Sequence, residues 1–262
     1  MSSVGENHIH QRSWKPDSFY SFVTSRYISR PIVPALIRIG LKNPNVVSSL
    51  SFAILLGAAV LLLLVNRSVL LNRLIVAFLI ELAFVLDCAD GQIARTLDRK
   101  SLLGAWLDKY FDRIGEMFLY SVIGYASWQD TGQFVFFVLG VLTGFLFSYY
   151  SLVYAEKDSI FLEEIKKNGY RLEQPSEKSG GTPCGRDEFF GKQYFRGSAL
   201  KRLFGLLFFY LNIGMGERYL YPIVFIPLGK THIMLLIVFF LFFTRSMNVT
   251  FILARHIVRN RM

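Results

Sequence analysis

The chain has 262 residues, of which 53% are hydrophobic, 16% aromatic and 18% charged, and its mean hydropathy is +0.39. This composition excludes an intrinsically disordered protein, which requires low hydrophobicity and high charge. Much of the apolar content lies in long blocks, whereas the apolar residues of an ordinary soluble domain recur with the period of an amphipathic helix or strand. This pattern argues against a soluble domain. The net charge is +10, and two cysteines are too few for a disulfide framework.

The N-terminal segment, residues 1–45, begins with a polar stretch and shows no apolar core of a signal peptide. An amphipathic helix is predicted over residues 17–30. Its apolar face consists of Phe19, Phe22, Val23 and Tyr27. A helix of this kind lies in the headgroup layer of a membrane, and docking of the same face on protein is the alternative. Two prolines are expected to interrupt the helix, Pro31 and Pro34.

Six apolar blocks follow, and each is long enough to cross a bilayer, which takes about 20 apolar residues. They cover approximately residues 46–65, 73–95, 102–127, 132–155, 203–228 and 231–256. The sequence therefore predicts an all-α integral membrane protein, in which an interfacial N-terminal helix precedes six transmembrane helices in one membrane domain over residues 46–262. The one long connection, residues 156–202, is polar and glycine-rich, and it is predicted to be a cytosolic loop with a short helix near residues 158–168.

The distribution of lysine and arginine predicts the orientation of these helices. The N-terminal segment, the second connection, the long loop and the C-terminal tail are rich in both residues, whereas the other connections are poor in them. A multi-pass protein is therefore expected, with both termini and the long loop on the cytosolic side. Because topology explains the basic excess, no nucleic-acid partner is expected, and the basic face should attract anionic lipid.

Four aspartates lie in or beside the second and third apolar blocks, where a charge at the bilayer centre costs at least ~2.5 kcal/mol. Asp87 and Asp90 are three residues apart on the second helix. Asp108 and Asp112 are four residues apart on the third, so each pair shares one helix face. A short connection makes the two helices antiparallel neighbours, and the spacing predicts that both pairs converge near the cytosolic surface.

Four unpaired carboxylates at close quarters repel one another, and divalent cations remove that repulsion. Hard oxygen ligands of this kind suit Mg²⁺, Mn²⁺ or Ca²⁺. Gly91 and Gly104 each lie one helical turn from an acid, where a missing side chain lets a bulky ligand approach. Arg95 is placed to bind a phosphate. The alternative is that the acids are polar helix ends neutralised by nearby cations, namely Arg95, Arg99, Lys100 and Lys109.

The same residues carry a resemblance to a known family. The pattern D-x-x-D-G-x-x-A-R-x8-G-x-x-x-D-x-x-x-D over residues 87–112 matches without a departure the motif of the CDP-alcohol phosphotransferases, also called CDP-alcohol phosphatidyltransferases. The segment Pro44-Asn45-Val46-Val47-Ser48, which opens the first transmembrane helix, resembles the family's P-N-x-x-[ST] element. Elsewhere the resemblance extends only to six helices that follow an amphipathic segment.

The resemblance implies an enzyme that transfers a phosphoalcohol from a CDP-linked donor to an acceptor hydroxyl, releases CMP and uses two divalent ions, Mg²⁺ or Mn²⁺. Carried over by position, the metal ligands would be Asp87, Asp90, Asp108 and Asp112. Asp112 would also be the catalytic base that takes the acceptor's proton. The CDP moiety would be held by Asn45, Gly91, Ala94, Arg95, Ser101 and Gly104. A cytosol-facing pocket suits a CDP-lipid such as CDP-diacylglycerol or an analogue with ether-linked chains.

The segment around Arg113 resembles that of family members which form inositol phospholipids, including those that use inositol phosphate. A phosphorylated polyol would need additional cations, and the candidates are Arg113, Arg218 and Arg245. The last two lie in apolar surroundings, where an arginine suggests a function. Arg218 follows Glu217, however, and local pairing between these two residues is the alternative. Glycerol phosphate and serine stay open as acceptors.

A divalent-cation transporter that uses the four acids as its ion site is the competing function. Transporters more often place such acids near mid-membrane, with broken helices or repeats in both halves. Here the acids cluster toward one end of two adjacent helices, and the second half of the chain holds no matching set. The sequence therefore favours a membrane phospholipid synthase, and it leaves open whether the aromatic later helices form a homodimer.

Overall fold

The computed structural model describes Tyr20, residues 24–167 and residues 215–259. These residues are almost entirely helical and contain no β-strand, so the predicted all-α class is confirmed. A π-helical turn, Thr24–Ser29, leads into α1 (Arg30–Arg38). The longer helices are α2 (Pro44–Leu64), α3 (Leu70–Thr96), α4 (Leu102–Thr131), α5 (Val135–Lys167), α6 (Met215–Leu228) and α7 (Thr231–Arg259).

The six longer helices coincide with the six apolar blocks, as far as the described residues cover those blocks. Within the described residues, three segments are long and apolar enough to cross a membrane, namely Pro44–Leu64, Val135–Glu156 and Thr231–Arg255. The acid-bearing helices α3 and α4 are at least as long but contain more charged residues. The protein is therefore an all-α membrane protein with several spans, and the number six stays a prediction.

Polar caps fix where α2 and α4 begin. Asn43 precedes α2 and accepts a hydrogen bond from the backbone N–H of Asn45 (3.1 Å), while Pro44 occupies the first turn. Ser101 precedes α4 and accepts a hydrogen bond from the backbone N–H of Gly104 (2.9 Å). Each cap bonds to the backbone of a motif residue, Asn45 at the start of α2 and Gly104 at the start of α4.

One apolar core includes residues of every helix from α2 to α7, within a compact unit formed by residues 1–150 and 213–248. Its largest fully buried side chains include Tyr120, Phe147 and Phe242. The helix α2 packs against both α3 and α4, and α6 packs against α3. Both acid-bearing helices therefore share α2 as a neighbour. In the described chain a second unit comprises the helical residues 151–167 and 249–259.

The helices α4 and α5 approach each other closely at glycine residues. A Cβ atom on Gly140 would lie 2.5 Å from the carbonyl oxygen of Tyr120 and 2.6 Å from the Cα atom of Gly124. A Cβ atom on Gly144 would lie 2.8 Å from the Cα atom of Met117. These neighbours are backbone atoms, which cannot move aside without moving a helix. Small residues allow such close packing of helices in a membrane.

The helix α1 packs against α3 through its apolar face. Val33 and Leu36 are buried in a cluster with Leu86, Ala89 and Ile93 of α3. This contact buries apolar area that would otherwise face lipid or water. The face of α1 that contacts α3 is therefore docked on protein.

The prediction that Pro31 and Pro34 interrupt the N-terminal helix is wrong, because α1 contains both residues. Pro31 lies in the first turn, where the missing N–H has no intrahelical hydrogen bond to lose. Of the apolar face predicted for residues 17–30, the structure describes Tyr27, which is 69% exposed; the other members lie outside the described residues. The location of this segment at the membrane interface stays a prediction.

Two polar contacts attach the segment before α1 to α3. The Tyr20 hydroxyl donates a hydrogen bond to Glu81, and the Gln92 side chain donates one to the Ser29 hydroxyl (2.6 Å). Burial and the hydrogen bond to Glu81 raise the pKa of Tyr20, so its hydroxyl stays protonated. The Tyr20 backbone N–H also donates to Glu217 Oε1 of α6 (3.2 Å). Tyr20 therefore links α3 and α6.

The helix α5 extends to Lys167, so residues 156–167 of the predicted loop are helical. The short helix predicted near residues 158–168 is the end of α5 rather than a separate element. The remainder of that loop, residues 168–202, and the beginning of the fifth apolar block, residues 203–214, lie outside the described residues. The division of the chain at residue 45 and the cytosolic location of the loop stay predictions.

Candidate active site

Three carboxylates from two helices lie close together at the end of α3 and the beginning of α4. Asp87, Asp90 and Asp108 each offer an oxygen, and these oxygens all lie within 4.8 Å of one another. Asp90 is 5% exposed, whereas Asp87 and Asp108 are partly accessible. Asp112 lies one turn after Asp108 and lines a pocket together with Asp87 and Asp108. Three of the four predicted metal ligands thus form a trio, and the fourth lies beside it.

The helix α2 supports this trio through two serine hydroxyls. Ser48 Oγ donates a hydrogen bond to the buried carboxylate of Asp90. One turn further on, Ser51 Oγ donates to the carbonyl oxygen of Ala83 on α3 (2.8 Å). These two contacts hold the same side of α2 against the acid-bearing end of α3, and the first one orients Asp90.

In the described ranges, the alternative in which nearby cations neutralise the acids is not supported by any direct ion pair. Within Tyr20, 24–167 and 215–259, no lysine or arginine forms an ion pair with any of the four aspartates. Arg99 donates instead to the carbonyl oxygen of Lys42 (3.3 Å), while its backbone N–H donates to the carbonyl oxygen of Ala94 (2.9 Å). Lys100 and Lys109 are exposed. The carboxylate oxygens are therefore available to a metal ion.

The residues predicted to bind CDP form two groups around the acids. On α3, a Cβ atom on Gly91 would lie 3.2 Å from Arg95 Nη1, so the Arg95 guanidinium lies against the glycine. At the start of α4, a Cβ atom on Gly104 would lie 2.7 Å from Asn45 Oδ1 and 3.0 Å from Ser101 Oγ. Each glycine thus makes room for polar groups of the same predicted site, and Ala94 lies beside the first group in the chain.

A small pocket adjoins the acids, and its walls come from α2, α3, α4 and α6. It is lined by Ser48, Ser51, Phe52, Leu55, Asp87, Asp108, Phe111, Asp112 and Tyr219. On its apolar side the rings of Phe52 and Phe111 stack with centroids 4.6 Å apart. Sequence reasoning did not identify Ser51 or Tyr219 as site residues, because a single serine or tyrosine in an apolar block carries no recognisable pattern.

Arg218, a predicted acceptor ligand, forms a buried ion pair with Glu116. Arg218 Nη1 lies 2.6 Å from Glu116 Oε2, and both side chains are 3% exposed. The local pairing with Glu217 that the sequence left open is not formed, and Glu217 Oε1 instead accepts a hydrogen bond from the backbone N–H of Tyr20. A sequence alone could not identify Glu116 as the partner, since it lies 102 residues away in the chain.

The other two predicted acceptor ligands lie in different surroundings. Arg113 directly follows Asp112 on α4 and is partly exposed. Arg245 on α7 is partly buried, with its guanidinium 4.7 Å from the centroid of the Tyr150 ring. That distance corresponds to a cation–π contact. Neither residue lines the pocket beside the acids.

Comparison with known proteins identifies the segment that contains this site. The sequence profile of the CDP-alcohol phosphatidyltransferase family matches residues 41–170, which include α2 to α5 and all four aspartates. A protein of Aquifex aeolicus (strain VF5), described as uncharacterized, is 37% identical over 82 residues, which are 30% of this chain and 42% of that relative. Members of the family are transferases that use divalent metal ions. Through residues 41–170, the chain belongs to the CDP-alcohol phosphatidyltransferase family.

Proposed function

We propose that the protein is a membrane phospholipid synthase that transfers a phosphatidyl group from a CDP-lipid to an acceptor hydroxyl and releases CMP. The carboxylate trio of Asp87, Asp90 and Asp108, with Asp112 on the wall of the adjoining pocket, is the observation that carries the proposal. It lies in the segment that matches the family. The donor is CDP-diacylglycerol or an analogue with ether-linked chains.

The four aspartate carboxylates are suitable ligands for two hard divalent ions. The four aspartates would hold Mg²⁺ or Mn²⁺, since these ions prefer carboxylate oxygens and no ion pair within the described residues occupies them. When bound, the ions supply charge neutralisation of the donor's diphosphate and of the departing CMP. Ser48 would act on the site indirectly, because its hydrogen bond orients Asp90.

The residues of the chain bind the donor and move one proton. The CDP moiety would be held by Asn45, Gly91, Ala94, Arg95, Ser101 and Gly104. Among these, the Arg95 guanidinium offers a planar donor surface for a phosphate. Asp112 takes the proton of the acceptor hydroxyl while the hydroxyl oxygen bonds to the phosphorus that carries the lipid. The bond between that phosphorus and the CMP oxygen breaks, and CMP leaves.

Inositol phosphate or another polyol phosphate is the proposed acceptor, with glycerol phosphate and serine as alternatives. The resemblance of the segment around Arg113 to inositol-phospholipid-forming members supports this choice. Arg113 and Arg245 are the candidate partners of the acceptor's phosphate. Arg218 is engaged by Glu116, so its proposed contribution to acceptor binding is indirect.

The proposed site faces the cytosol, together with both termini. The connection between α3 and α4, which adjoins the acids, carries Arg99 and Lys100, and both are exposed. Positively charged connections lie on the cytosolic side of membrane proteins. A water-soluble acceptor and the CDP head group would reach the acids from that side.

The test is CMP release from CDP-diacylglycerol by the purified protein in detergent with Mg²⁺. The acceptor panel consists of inositol phosphate, inositol, glycerol phosphate and serine. We expect acceptor-dependent CMP release that EDTA abolishes. The variant Asp112→Asn should lose activity by about 10²- to 10⁴-fold, the usual contribution of a general base. Asp130→Asn, at the other end of α4 where Asp130 pairs with Arg67, is the matched control and should keep full activity.

The same preparation distinguishes the competing function. No CMP release from folded protein with any acceptor, together with Mn²⁺ uptake into protein-containing vesicles, would favour a cation transporter. CDP-diacylglycerol binding by Asp112→Asn would instead favour the enzyme, because a transporter of bare ions has no reason to bind a nucleotide-linked lipid.

A further inference from the structure

Tyr219 is a pocket residue that lies outside the segment matched by the family. It belongs to α6, whereas the match ends at residue 170. Tyr219 nevertheless lines the pocket together with Asp87, Asp108 and Asp112. The side chain is 6% exposed, and its hydroxyl forms no hydrogen bond with any residue in the described ranges. Buried tyrosine hydroxyls usually have a partner, so this one is available to a molecule that enters the pocket.

The ring of Tyr219 is held in place from the side of α3. It stacks on Phe84 with centroids 4.9 Å apart and an interplanar angle of 21°. Phe84 in turn stacks on Tyr20 at 5.6 Å. Stacking of this kind restricts the ring to one orientation, so the position of the hydroxyl is determined before a ligand arrives.

The backbone next to Tyr219 is held from the side of α4. The preceding residue, Arg218, forms the buried ion pair with Glu116, and its carbonyl oxygen accepts a hydrogen bond from the Tyr120 hydroxyl (2.7 Å). The rings of Phe147 and Phe242 lie 4.8 Å and 5.2 Å from the guanidinium carbon and cover it. Glu116 follows Asp112 by one helical turn. The ion pair therefore links the turn of α4 that follows Asp112 to Arg218, the residue directly before Tyr219.

The surroundings of the pocket indicate which substrate Tyr219 would meet. Neither group of proposed CDP-binding residues, one around Arg95 and the other around Asn45, lines this pocket. Asp112, the proposed base, does line it, and the acceptor hydroxyl must reach that carboxylate to lose its proton. A group in the same wall can hydrogen-bond the acceptor while its reacting hydroxyl lies at Asp112.

We infer that the Tyr219 hydroxyl orients the acceptor alcohol at Asp112, and that the Glu116–Arg218 ion pair holds Tyr219 in position for this role. The inference rests on the proposed function and adds a specificity residue to it. Tyr219 would contact the substrate, whereas Glu116 and Arg218 would be positioning residues that act through it.

The first test uses Tyr219→Phe, which removes the hydroxyl and keeps the ring. The assay measures CMP release from CDP-diacylglycerol with the panel acceptor that supports turnover. We expect the KM for the acceptor to rise about tenfold, as for the loss of one hydrogen bond of roughly 1.4 kcal/mol. The KM for CDP-diacylglycerol should not change. Tyr221→Phe is the matched control on the same helix, because Tyr221 does not line the pocket, and it should match the wild type.

The second test separates positioning from mere stability. Single replacements in the pair leave a buried charge without a partner, so the double variant Glu116→Leu/Arg218→Met is used, in which apolar residues can recover the melting temperature. We expect this variant to fold and still show a raised acceptor KM, because Tyr219 is no longer held. A double variant with wild-type melting temperature and wild-type acceptor KM would refute the positioning role.

The outcomes distinguish this inference from the proposed function. Wild-type turnover with an unchanged acceptor KM in Tyr219→Phe would overturn the inference and leave the proposed function intact. A change in the KM for CDP-diacylglycerol alone would assign Tyr219 to the donor and also overturn it. If the wild-type protein releases no CMP with any acceptor, the proposed function fails and the inference fails with it.

Discussion

At the scale of single residues, the orientation of the Asp90 carboxylate depends on one uncharged neighbour, Ser48. It is 5% exposed, and it accepts a hydrogen bond from Ser48 of α2. A metal-ligating carboxylate needs such a partner, because the hydrogen bond fixes which oxygen faces the metal. Ser48 is therefore part of the candidate metal site, because it orients the aspartate that would bind the metal.

Replacement of Ser48 by alanine should weaken metal binding. Loss of a hydrogen bond to a metal ligand typically lowers metal affinity about 10- to 100-fold, and we expect that range for Mn²⁺ binding to Ser48→Ala by calorimetric titration. The control is Ser49→Ala, since among the described residues the exposed Ser49 hydroxyl bonds to nothing but the carbonyl oxygen of Asn45 in the same helix (2.9 Å). Equal Mn²⁺ affinities of the two variants would contradict the assigned role of Ser48.

Gly104 offers a second prediction at the residue scale. A methyl group there would lie 2.7 Å from Asn45 Oδ1, so the Asn45 side chain must move away from its present position. The fold should tolerate this shift, since the displaced atom is the end of a side chain. If Asn45 binds the donor, Gly104→Ala should raise the KM for CDP-diacylglycerol about tenfold, which corresponds to roughly 1.4 kcal/mol.

The control for Gly104→Ala is Gly57→Ala on α2, where a Cβ atom would meet nothing within 4 Å in the described part of the chain. It should leave the KM for the donor unchanged. A wild-type KM in Gly104→Ala would show that Asn45 and the beginning of α4 do not contribute to donor binding.

At the scale of helices, the site depends on contacts that lie far from the acids. The helix α4 presents Asp108 and Asp112 at its beginning, and about three to four turns later its Gly124 meets Gly140 of α5. The backbones touch there because neither residue has a side chain. Close packing at this crossing fixes the axis of α4, and with it the direction in which both aspartates leave the helix.

Replacement of Gly140 by alanine should therefore destabilise the protein. The added methyl group would lie 2.5 Å from the carbonyl oxygen of Tyr120, and overpacking of this kind costs about 1–3 kcal/mol. We expect the melting temperature in detergent to fall by several degrees. Gly57→Ala, in open surroundings, should not lower it. A Gly140→Ala variant as stable as the wild type would show that α4 and α5 can separate at little cost.

At the scale of the whole molecule, the exposed basic residues near the acids predict the orientation in the membrane. Lys100 lies in the connection between α3 and α4, and Ser68 lies in the connection at the opposite end of α3. Both residues are exposed, so each can report the side on which its connection lies. The proposed function requires that the connection beside the acids face the cytosol.

Cysteine labelling tests this orientation. In a background with Cys88→Ala and Cys184→Ala that still releases CMP, we expect a membrane-impermeant maleimide to label Lys100→Cys only in inside-out vesicles. Ser68→Cys should react only in right-side-out vesicles, since α3 separates the two positions. The reverse pattern would place the acids on the opposite side and contradict the predicted topology.

The sequence could predict the helices and the pairing of acids on one helix face, because both depend on residues that are close together in the chain. An apolar block of 20 or more residues is helical in a membrane whatever its neighbours are, since its backbone must bond within the segment. The spacing of Asp87 and Asp90 along one helix also needs no tertiary information. The N-terminal helix was predicted less well, because the effect of Pro31 depends on where the helix begins, and a proline in the first turn does not break it.

What the sequence by itself determined is the helical class, which follows from composition, and the spacing of four aspartates within about 30 residues, which predicts a divalent-metal site. The family followed from the resemblance of that motif to a known one. Only the tertiary structure decided that Ser48 supports Asp90, that Arg218 pairs with Glu116 rather than with its neighbour Glu217, and that Tyr219 completes the pocket wall. These partners come from different helices, and the distances between them are set by packing of the core. No local pattern records such packing, because each contact depends on the crossing of helices that are far apart in the chain.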